Sequence, residues 1–438
     1  MKKIFNKKLS KIVEYGLYFL AFILPWQTRW IIKPGEINNG YSEYLTISLY
    51  IVDVLIIFLI ILLSISKLKE GLKEEKINIF WWLIAGLELA VFVSIFFATD
   101  KELAIFYYFR FLLGIGFFWL IASASYSEAK FILSLLSGFF TQALLAIWQF
   151  ITQSTFSFKW LGLASHYAGE LGVSVVEVGG ERWLRAYGGL DHPNMLGGVM
   201  AVGIILVLLF ELNIFKRKLI KENLSGLLKI FGAVFLIALF FSFSRSAWLG
   251  LIVGLMFMLF ISWLKKDLIS QKKILEYIFI FGIIIFILSS QYNGLVSNRI
   301  KGEGRIETNS INERIELGKE AIEIIKTNLF FGTGVGNYVL EQKIQRVVNQ
   351  SSWEYQPVHN YYLLVWSEIG VVGILIFLSI IIFLICSIFS KSNQKIIFGL
   401  MMILITMFFF DHWWWSLHFG VIFSWLIFGI VLRLVFKK

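Results

Sequence analysis

Arginines and histidines are the side chains of this chain best suited to chemistry, because several of them lie in polar segments between long apolar runs. Arginine presents a planar fork of N–H donors that binds phosphate bidentately. Histidine, with an unperturbed pKa of about 6.5, acts as a general base or acid near neutral pH. Together they predict a bound phosphate or diphosphate with a proton-transferring group beside it. The principal candidates are Arg185, Arg245, Arg314 and His359.

Arg245 has the most informative position among the arginines. It lies in the turn Ser242-Phe-Ser-Arg-Ser-Ala-Trp248, between two apolar runs and too short to be a flexible loop. An arginine near a membrane surface is more often a snorkelling anchor for lipid headgroups, and that alternative applies to Arg185 and Arg314. His359 begins an apolar run, where the alternative to a functional group is an interfacial ring.

Five further polar residues could support the same site, namely His192, Asn194, Asn360, Asp411 and His412. His192 precedes Pro193-Asn194, a pattern that also begins helices, so capping is an equal alternative to a functional role. The Asp-His pairs at 191–192 and 411–412 offer oxygen and imidazole ligands, but their spacing matches no known metal motif. We therefore predict no metal ion.

The composition indicates which elements must position these residues. Of the 438 residues, 58% are hydrophobic and 16% are charged, whereas a soluble protein carries about 25% charged residues. Apolar runs of about 20 residues cross about 30 Å of hydrocarbon. The sequence therefore predicts an all-α, polytopic membrane protein with twelve spans, at 12–30, 46–66, 77–98, 102–124, 129–152, 193–212, 226–243, 246–264, 274–291, 359–388, 395–411 and 414–434.

Lysine clusters predict the side that each loop faces. Five lysines among the first eleven residues place the N-terminus in the cytoplasm, and we expect a retained first helix because no signal-peptide cleavage site follows it. With strict alternation, the C-terminus and the lysine-rich loops also face the cytoplasm, and these loops are 67–76, 125–130, 213–224, 265–273 and 389–395. Topology therefore accounts for the net charge of +11, and no nucleic-acid partner is expected.

The chain is predicted to be a single membrane domain, 1–438, with two long extracytoplasmic segments at 153–192 and 292–357. The second lies between predicted helices 9 and 10. Within it, Ser310-Ile-Asn-Glu313 has the pattern of a capping box, and the residues after it predict an amphipathic helix over 311–327.

Two membrane-embedded charges and a glycine-rich segment complete the expectations. Glu88 and Arg110 fall at similar depth in neighbouring spans, so we predict an ion pair, with a path for substrate or protons as the alternative. Gly332-Thr-Gly-Val-Gly336 has glycines like those of a phosphate-binding loop, but it follows the amphipathic helix, and we interpret it as a turn.

Four stretches together resemble the superfamily of O-antigen ligases and O-antigen (Wzy-type) polymerases of the bacterial envelope. These stretches are Arg185-Ala-Tyr-Gly-Gly-Leu-Asp-His-Pro-Asn194, Ser242-Phe-Ser-Arg-Ser-Ala-Trp-Leu-Gly250, Phe331-Gly-Thr-Gly-Val-Gly-Asn-Tyr338 and His359-Asn-Tyr-Tyr-Leu-Leu-Val-Trp-Ser-Glu-Ile-Gly370. The resemblance implies glycosyl transfer at the outer face of the bacterial plasma (inner) membrane, from an undecaprenyl-diphosphate-linked glycan. It implies no nucleotide sugar, cofactor or metal.

The resemblance also implies roles for individual residues. Arg185 and Arg245 match arginines that hold the diphosphate, Arg314 matches a loop arginine less closely, and His359 matches the histidine beside the reacting sugar. A ligase would pass the glycan to lipid A-core and a polymerase to a growing glycan, and the sequence leaves both open. A transporter or flippase of a lipid-linked anion is the alternative of another class, but it predicts charges throughout the bilayer depth instead of at one face.

Overall fold

The computed structural model describes residues 2–70, 79–170, 172–215, 224–302, 305–346, 350–391 and 395–436. Within them the protein is an all-α polytopic membrane protein. Its helices are α1 (Lys2–Ile23), α2 (Ile51–Glu70), α3 (Ile79–Ser94), α4 (Lys101–Ser123), α5 (Glu128–Thr152), α6 (Pro193–Glu211), α7 (Leu224–Phe241), α8 (Arg245–Leu264), α9 (Leu268–Gln291), α10 (Asn293–Lys301), α11 (Arg305–Thr327), α12 (Tyr338–Gln345), α13 (Tyr361–Lys391), α14 (Phe398–Phe408), α15 (Trp413–Ser416) and α16 (His418–Phe436).

Ten helices in the described ranges are long and apolar enough to cross a membrane. The other two predicted spans correspond to α1, whose first half is rich in lysine, and to α14, which has 11 residues. The predicted cytoplasmic loops 67–76, 213–224 and 389–395 lie partly outside the described residues.

The predicted bounds of the first two spans, 12–30 and 46–66, are wrong at the ends that face each other. Helix α1 ends at Ile23 and α2 begins at Ile51. Pro25 disfavours helical geometry in the residue before it. The chain then forms strand β1 (Arg29–Lys33), which pairs antiparallel with β4 (Ile47–Tyr50). The remaining strands form two hairpins, β2 (Glu36–Ile37) with β3 (Gly40–Tyr41) and β5 (Val175–Val178) with β6 (Glu181–Leu184).

Helix α6 is the centre of the bundle, because every one of its residues is buried. It packs against α5, α7, α8 and α14. Because α6 is central, its first residues lie at the middle of one end of the bundle. This end also carries the three strand pairs and helices α10–α12, and we call it the loop-bearing end.

Helix α13 is interrupted at Gly370, which has φ 70° and ψ −177°. The segment 328–337 lies in the gap and supplies partners for the interrupted backbone. The Thr333 N–H donates to the Ser367 carbonyl at 2.8 Å, and the Val371 N–H donates to the Leu329 carbonyl at 2.9 Å. A broken helix at membrane depth needs such partners. The glycine-rich segment is therefore a turn, as predicted, and it packs against the helix break.

Gly370→Ala should lower the free energy of unfolding by about 3 kcal/mol or more. An added Cβ would lie 2.0 Å from the Phe330 carbonyl oxygen, in a backbone conformation that only glycine adopts readily. Thermal unfolding in detergent measures the effect. Gly282→Ala in α9 is the matched control, since nothing lies within 4 Å of its added Cβ. Equal melting temperatures for the two variants would contradict the prediction.

Two further expectations are corrected. Helix α11 begins at Arg305, so Ser310 lies inside the helix and is not its N-cap. Leu317, Ala321, Ile324 and Ile325 are buried, and the helix packs against α13.

Glu88 and Arg110 do not form an ion pair. The Tyr108 hydroxyl donates to Glu88 at 3.3 Å. The guanidinium of Arg110 donates instead to the Ser416 carbonyl at 3.4 Å and lies against the rings of Phe106 and Tyr107. The two residues were predicted at similar depth in neighbouring spans, but their side chains do not meet.

Candidate functional site

A cavity of about 590 Å³ opens at the loop-bearing end. Five arginines line it, from three parts of the chain: Arg182, Arg185, Arg299, Arg305 and Arg314. Two carboxylates, Glu43 and Glu313, line the same wall. The lining thus has an excess of three positive charges, which suits an anionic ligand.

Arg185 is almost completely buried, and neutral groups hold it in place. Its Nε donates to the Ser242 carbonyl at 2.8 Å, and its Nη2 donates to Asn194 Oδ1 at 2.6 Å. Asn194 in turn donates to Asp411 at 2.8 Å, and the Ser246 hydroxyl donates to the other oxygen of that carboxylate. This chain of hydrogen bonds joins the starts of α6 and α8 to the α14–α15 turn.

The turn between α7 and α8 orients two arginines through its backbone. Phe243 has a positive φ of 46°, which is uncommon outside glycine and asparagine. Its carbonyl accepts from Arg299 Nε at 2.9 Å, while the preceding carbonyl, of Ser242, accepts from Arg185. The turn singled out by sequence therefore positions two arginines other than its own.

Arg245 lies beside the cavity and does not line it. Its Nη2 is 3.5 Å from a carboxylate oxygen of Glu307, and the same carboxylate accepts from Arg299 Nη1 at 2.5 Å. Glu307 is buried and lies in the first turn of α11. Arg245 is therefore linked to the cavity through Glu307 and Arg299.

Arg314 faces the cavity from the middle of α11. No hydrogen bond or ion pair joins its guanidinium to another side chain in the described part of the protein. Arg185 likewise keeps its Nη1 without an acceptor there. These guanidinium groups are therefore available to a ligand.

A second cavity of about 150 Å³ adjoins the first, and six residues line both: Glu43, Tyr44, His192, Asn194, Gln356 and His359. The other polar residues that line the smaller cavity are Asp191, Asp411 and His412. Carboxylates therefore predominate in the lining of the smaller cavity and arginines in that of the larger one, and His359 lines both.

The three histidines of the smaller cavity differ in their partners. His192 caps α6, accepting from the Asn194 N–H at 3.0 Å through Nδ1, and its Nε2 is 2.9 Å from the Ser174 hydroxyl. His412 Nδ1 is 2.8 Å from the Ser416 hydroxyl. His359 contacts the His412 ring edge to face, with 4.9 Å between centroids, and neither of its nitrogens bonds to a described residue. Nδ1 of His359 is buried, so Nε2 is the nitrogen of this ring that is left for a substrate.

These imidazoles are neutral near pH 7. Burial, followed by His412 and Arg314, holds the pKa of His359 well below its ordinary value. Burial and Arg185 do the same to the pKa of His192, and burial with Arg314 lowers the pKa of His412 to about 3. A neutral imidazole has one N–H donor and one lone-pair acceptor, so His359 can hold a hydroxyl in a defined orientation.

The structure brings most of the residues predicted from sequence to one place. Arg185, Arg314, His192, Asn194 and His359 line the large cavity, and Asp411 and His412 line the small one. Asn360 lines neither. It caps α13, accepting from the Leu363 N–H at 3.0 Å. The sequence analysis did not predict Arg299 and Arg305 as site residues. The only feature of the sequence that could have indicated them is their place in the long polar segment 292–357.

The sequence model for O-antigen ligase matches residues 230–378, from within α7 to within α13. The match covers 149 of the 438 residues. The predicted resemblance to the O-antigen ligase and polymerase superfamily is thereby confirmed. The matched stretch includes Arg245, Arg299, Arg314 and His359, whereas Arg185 precedes it.

Part of the chain is also similar to an uncharacterized protein of Haemophilus influenzae. It is 27% identical over 194 residues, which make up 42% of this chain and 47% of the relative. The matched region therefore spans about half the length of that curated relative.

Proposed function

We propose that this protein transfers a glycan from undecaprenyl diphosphate to an acceptor at the outer face of the bacterial plasma membrane, as an O-antigen ligase does. Lipid A-core or another glycan would be the acceptor. The loop-bearing end would face out of the cell and both termini would face the cytoplasm, in agreement with the lysine clusters. The observation that carries the proposal is the cavity lined by five arginines, which adjoins the open imidazole of His359.

The charge distribution of the large cavity supports a diphosphate ligand. Arg182, Arg185 and Arg314 have no carboxylate within salt-bridge distance among the described residues. Their positive charges are compensated only partly, so binding of an anion would relieve the excess. Arginine is also the side chain best matched to the geometry of phosphate oxygens.

The same groups would lower the barrier for transfer. The diphosphate is the leaving group, and its oxygen gains negative charge as the bond to the sugar breaks. Fixed guanidinium groups that face this charge stabilise the transition state more than the ground state. His359, on the border of the two cavities, would hold the acceptor hydroxyl near the anomeric carbon.

Arg314→Ala should raise the KM for the lipid-linked donor by about 10–100-fold, the effect of losing one charge-assisted contact of about 1.5–3 kcal/mol. Transfer by the purified protein from undecaprenyl-diphosphate glycan in detergent provides the measurement. Lys319→Ala is the matched control, because it removes a cation from the same helix at an exposed position paired with Glu316.

Equal KM values in the Arg314 and Lys319 variants would contradict the placement of the diphosphate. Absence of any transfer by the wild-type protein, with ligase and polymerase acceptors both supplied, would contradict the proposed function. Product length separates the two activities, since a single addition to a foreign acceptor indicates ligation and a ladder indicates polymerisation.

A further inference from the structure

Among the described residues, one carboxylate that lines the smaller cavity has no hydrogen-bond or ion-pair partner. Of its acidic residues, Asp411 accepts from Asn194 and Ser246, and Glu43 accepts from Arg29 and Tyr41. Asp191 makes no hydrogen bond or ion pair in the described part of the chain, yet its side chain is exposed to the cavity. A carboxylate that protein surrounds but does not bind is available for a substrate proton.

The position of Asp191 is set by rigid elements. It directly precedes His192, which caps α6, and α6 is buried along its whole length. Asn194, two residues further on, binds Arg185 and Asp411. Asp191 therefore begins the same turn that holds a diphosphate-facing arginine, but it lines the acidic cavity on the other side.

We propose that Asp191 is the general base that accepts the proton of the acceptor hydroxyl, an inference that rests on the proposed function. As the O–H bond breaks, its proton passes to the Asp191 carboxylate and the oxygen bonds to the anomeric carbon. The bond from that carbon to the diphosphate breaks, and its electron pair leaves on the diphosphate oxygen, which the arginines stabilise. The protonated carboxyl then releases its proton to water.

The surroundings of Asp191 agree with this role. Although Asp191 is exposed to the cavity, desolvation by the surrounding protein, followed by the charge of Glu43, raises its pKa to about 6, whereas Arg29 and Arg110 act in the opposite direction. A base with a pKa near the working pH accepts protons most effectively. Besides Glu43, the other titratable groups that line the cavity are Tyr44, His192, His359, Asp411 and His412. The three histidines have lowered pKa values and stay neutral, so they accept protons poorly near pH 7.

Asp191→Asn should lower kcat by about 100-fold or more while changing the KM for the donor by less than about threefold, because a general base contributes about 10²–10⁴-fold. The wild-type kcat should rise with pH, reach half of its maximum near pH 6 and level off above about pH 7, since the carboxylate must be ionised. Asp191→Ala should regain activity when formate is added. Glu181→Gln, at an exposed turn of the β5–β6 hairpin, is the matched control.

Several results would overturn this assignment. They are a wild-type kcat in Asp191→Asn, a flat wild-type pH profile between pH 5 and 8, or no rescue of a folded Asp191→Ala by formate. If Asp191→Asn is inactive and also melts at a lower temperature, Asp191→Glu decides the assignment, because it keeps a carboxylate. Glycan transfer by the Glu variant supports the general base, and loss of transfer in a folded Glu variant contradicts it. Failure of the proposed function is distinct, because the wild-type protein would then transfer no glycan at any pH.

Discussion

His359→Ala should lower the kcat of glycan transfer by about 10²-fold, the effect of misplacing the acceptor hydroxyl that the ring would orient. The ring borders both cavities and has no protein partner for either nitrogen in the described residues. Its removal therefore breaks no structural hydrogen bond, and the melting temperature should stay close to that of the wild type. Transfer kinetics and thermal unfolding, measured on the same preparation, test the two halves of this expectation.

His166→Ala is the matched control for His359. His166 also lies in a segment at the loop-bearing end, but it stacks on Tyr187 at 4.4 Å and lines neither cavity. Its variant should transfer glycan at close to the wild-type rate. Comparable rates in the His359 and His166 variants would exclude His359 from the reacting centre.

Arg185→Ala should lower kcat/KM by about 10³-fold, and it should also destabilise the protein. The guanidinium joins the Ser242 carbonyl to Asn194, so its loss leaves buried acceptors without a donor, at about 1–3 kcal/mol. The substitution also removes Nη1, the nitrogen that would bind the proposed diphosphate. Steady-state kinetics report the first effect, and thermal unfolding reports the second.

Arg185→Lys separates charge from geometry. A lysine keeps the positive charge, but its single ammonium cannot reproduce the planar fork that binds both Ser242 and Asn194. We expect transfer to stay at least 10-fold below wild type, by analogy with the loss of one charge-assisted bond of about 1.5 kcal/mol or more. Full activity in Arg185→Lys would mean that only charge is required at this position.

The membrane architecture could be predicted from sequence because it depends on local properties. An apolar run of sufficient length forms a helix in lipid whatever its neighbours are, since its backbone must satisfy its own hydrogen bonds. Ten of the twelve predicted spans are long and apolar enough to cross the membrane. The errors occurred where the polarity was mixed, as at 24–50, where apolar residues such as Trp30 and Leu49 belong to paired strands instead of helices.

The candidate site was less accessible to sequence reasoning. Arg185, Arg314 and His359 were found because their residue types are rare between apolar runs. Arg299 was missed because nothing in its own segment distinguishes it from a solvated arginine. Its burial depends on Glu307 and on the Phe243 carbonyl, which is 56 residues away in the chain.

The amino-acid sequence by itself determined the membrane class, most helix positions and the superfamily, because hydrophobicity and short motifs act over neighbouring residues. Only the tertiary structure decided which polar groups share a cavity and which face of it each one lines. Asn194 and Asp411 are 217 residues apart and yet bond directly, because α6 and the α14–α15 turn meet at the centre of the bundle. Contacts of this kind depend on how helices pack, and Arg245 illustrates the consequence, since it lies behind Glu307 instead of in the cavity.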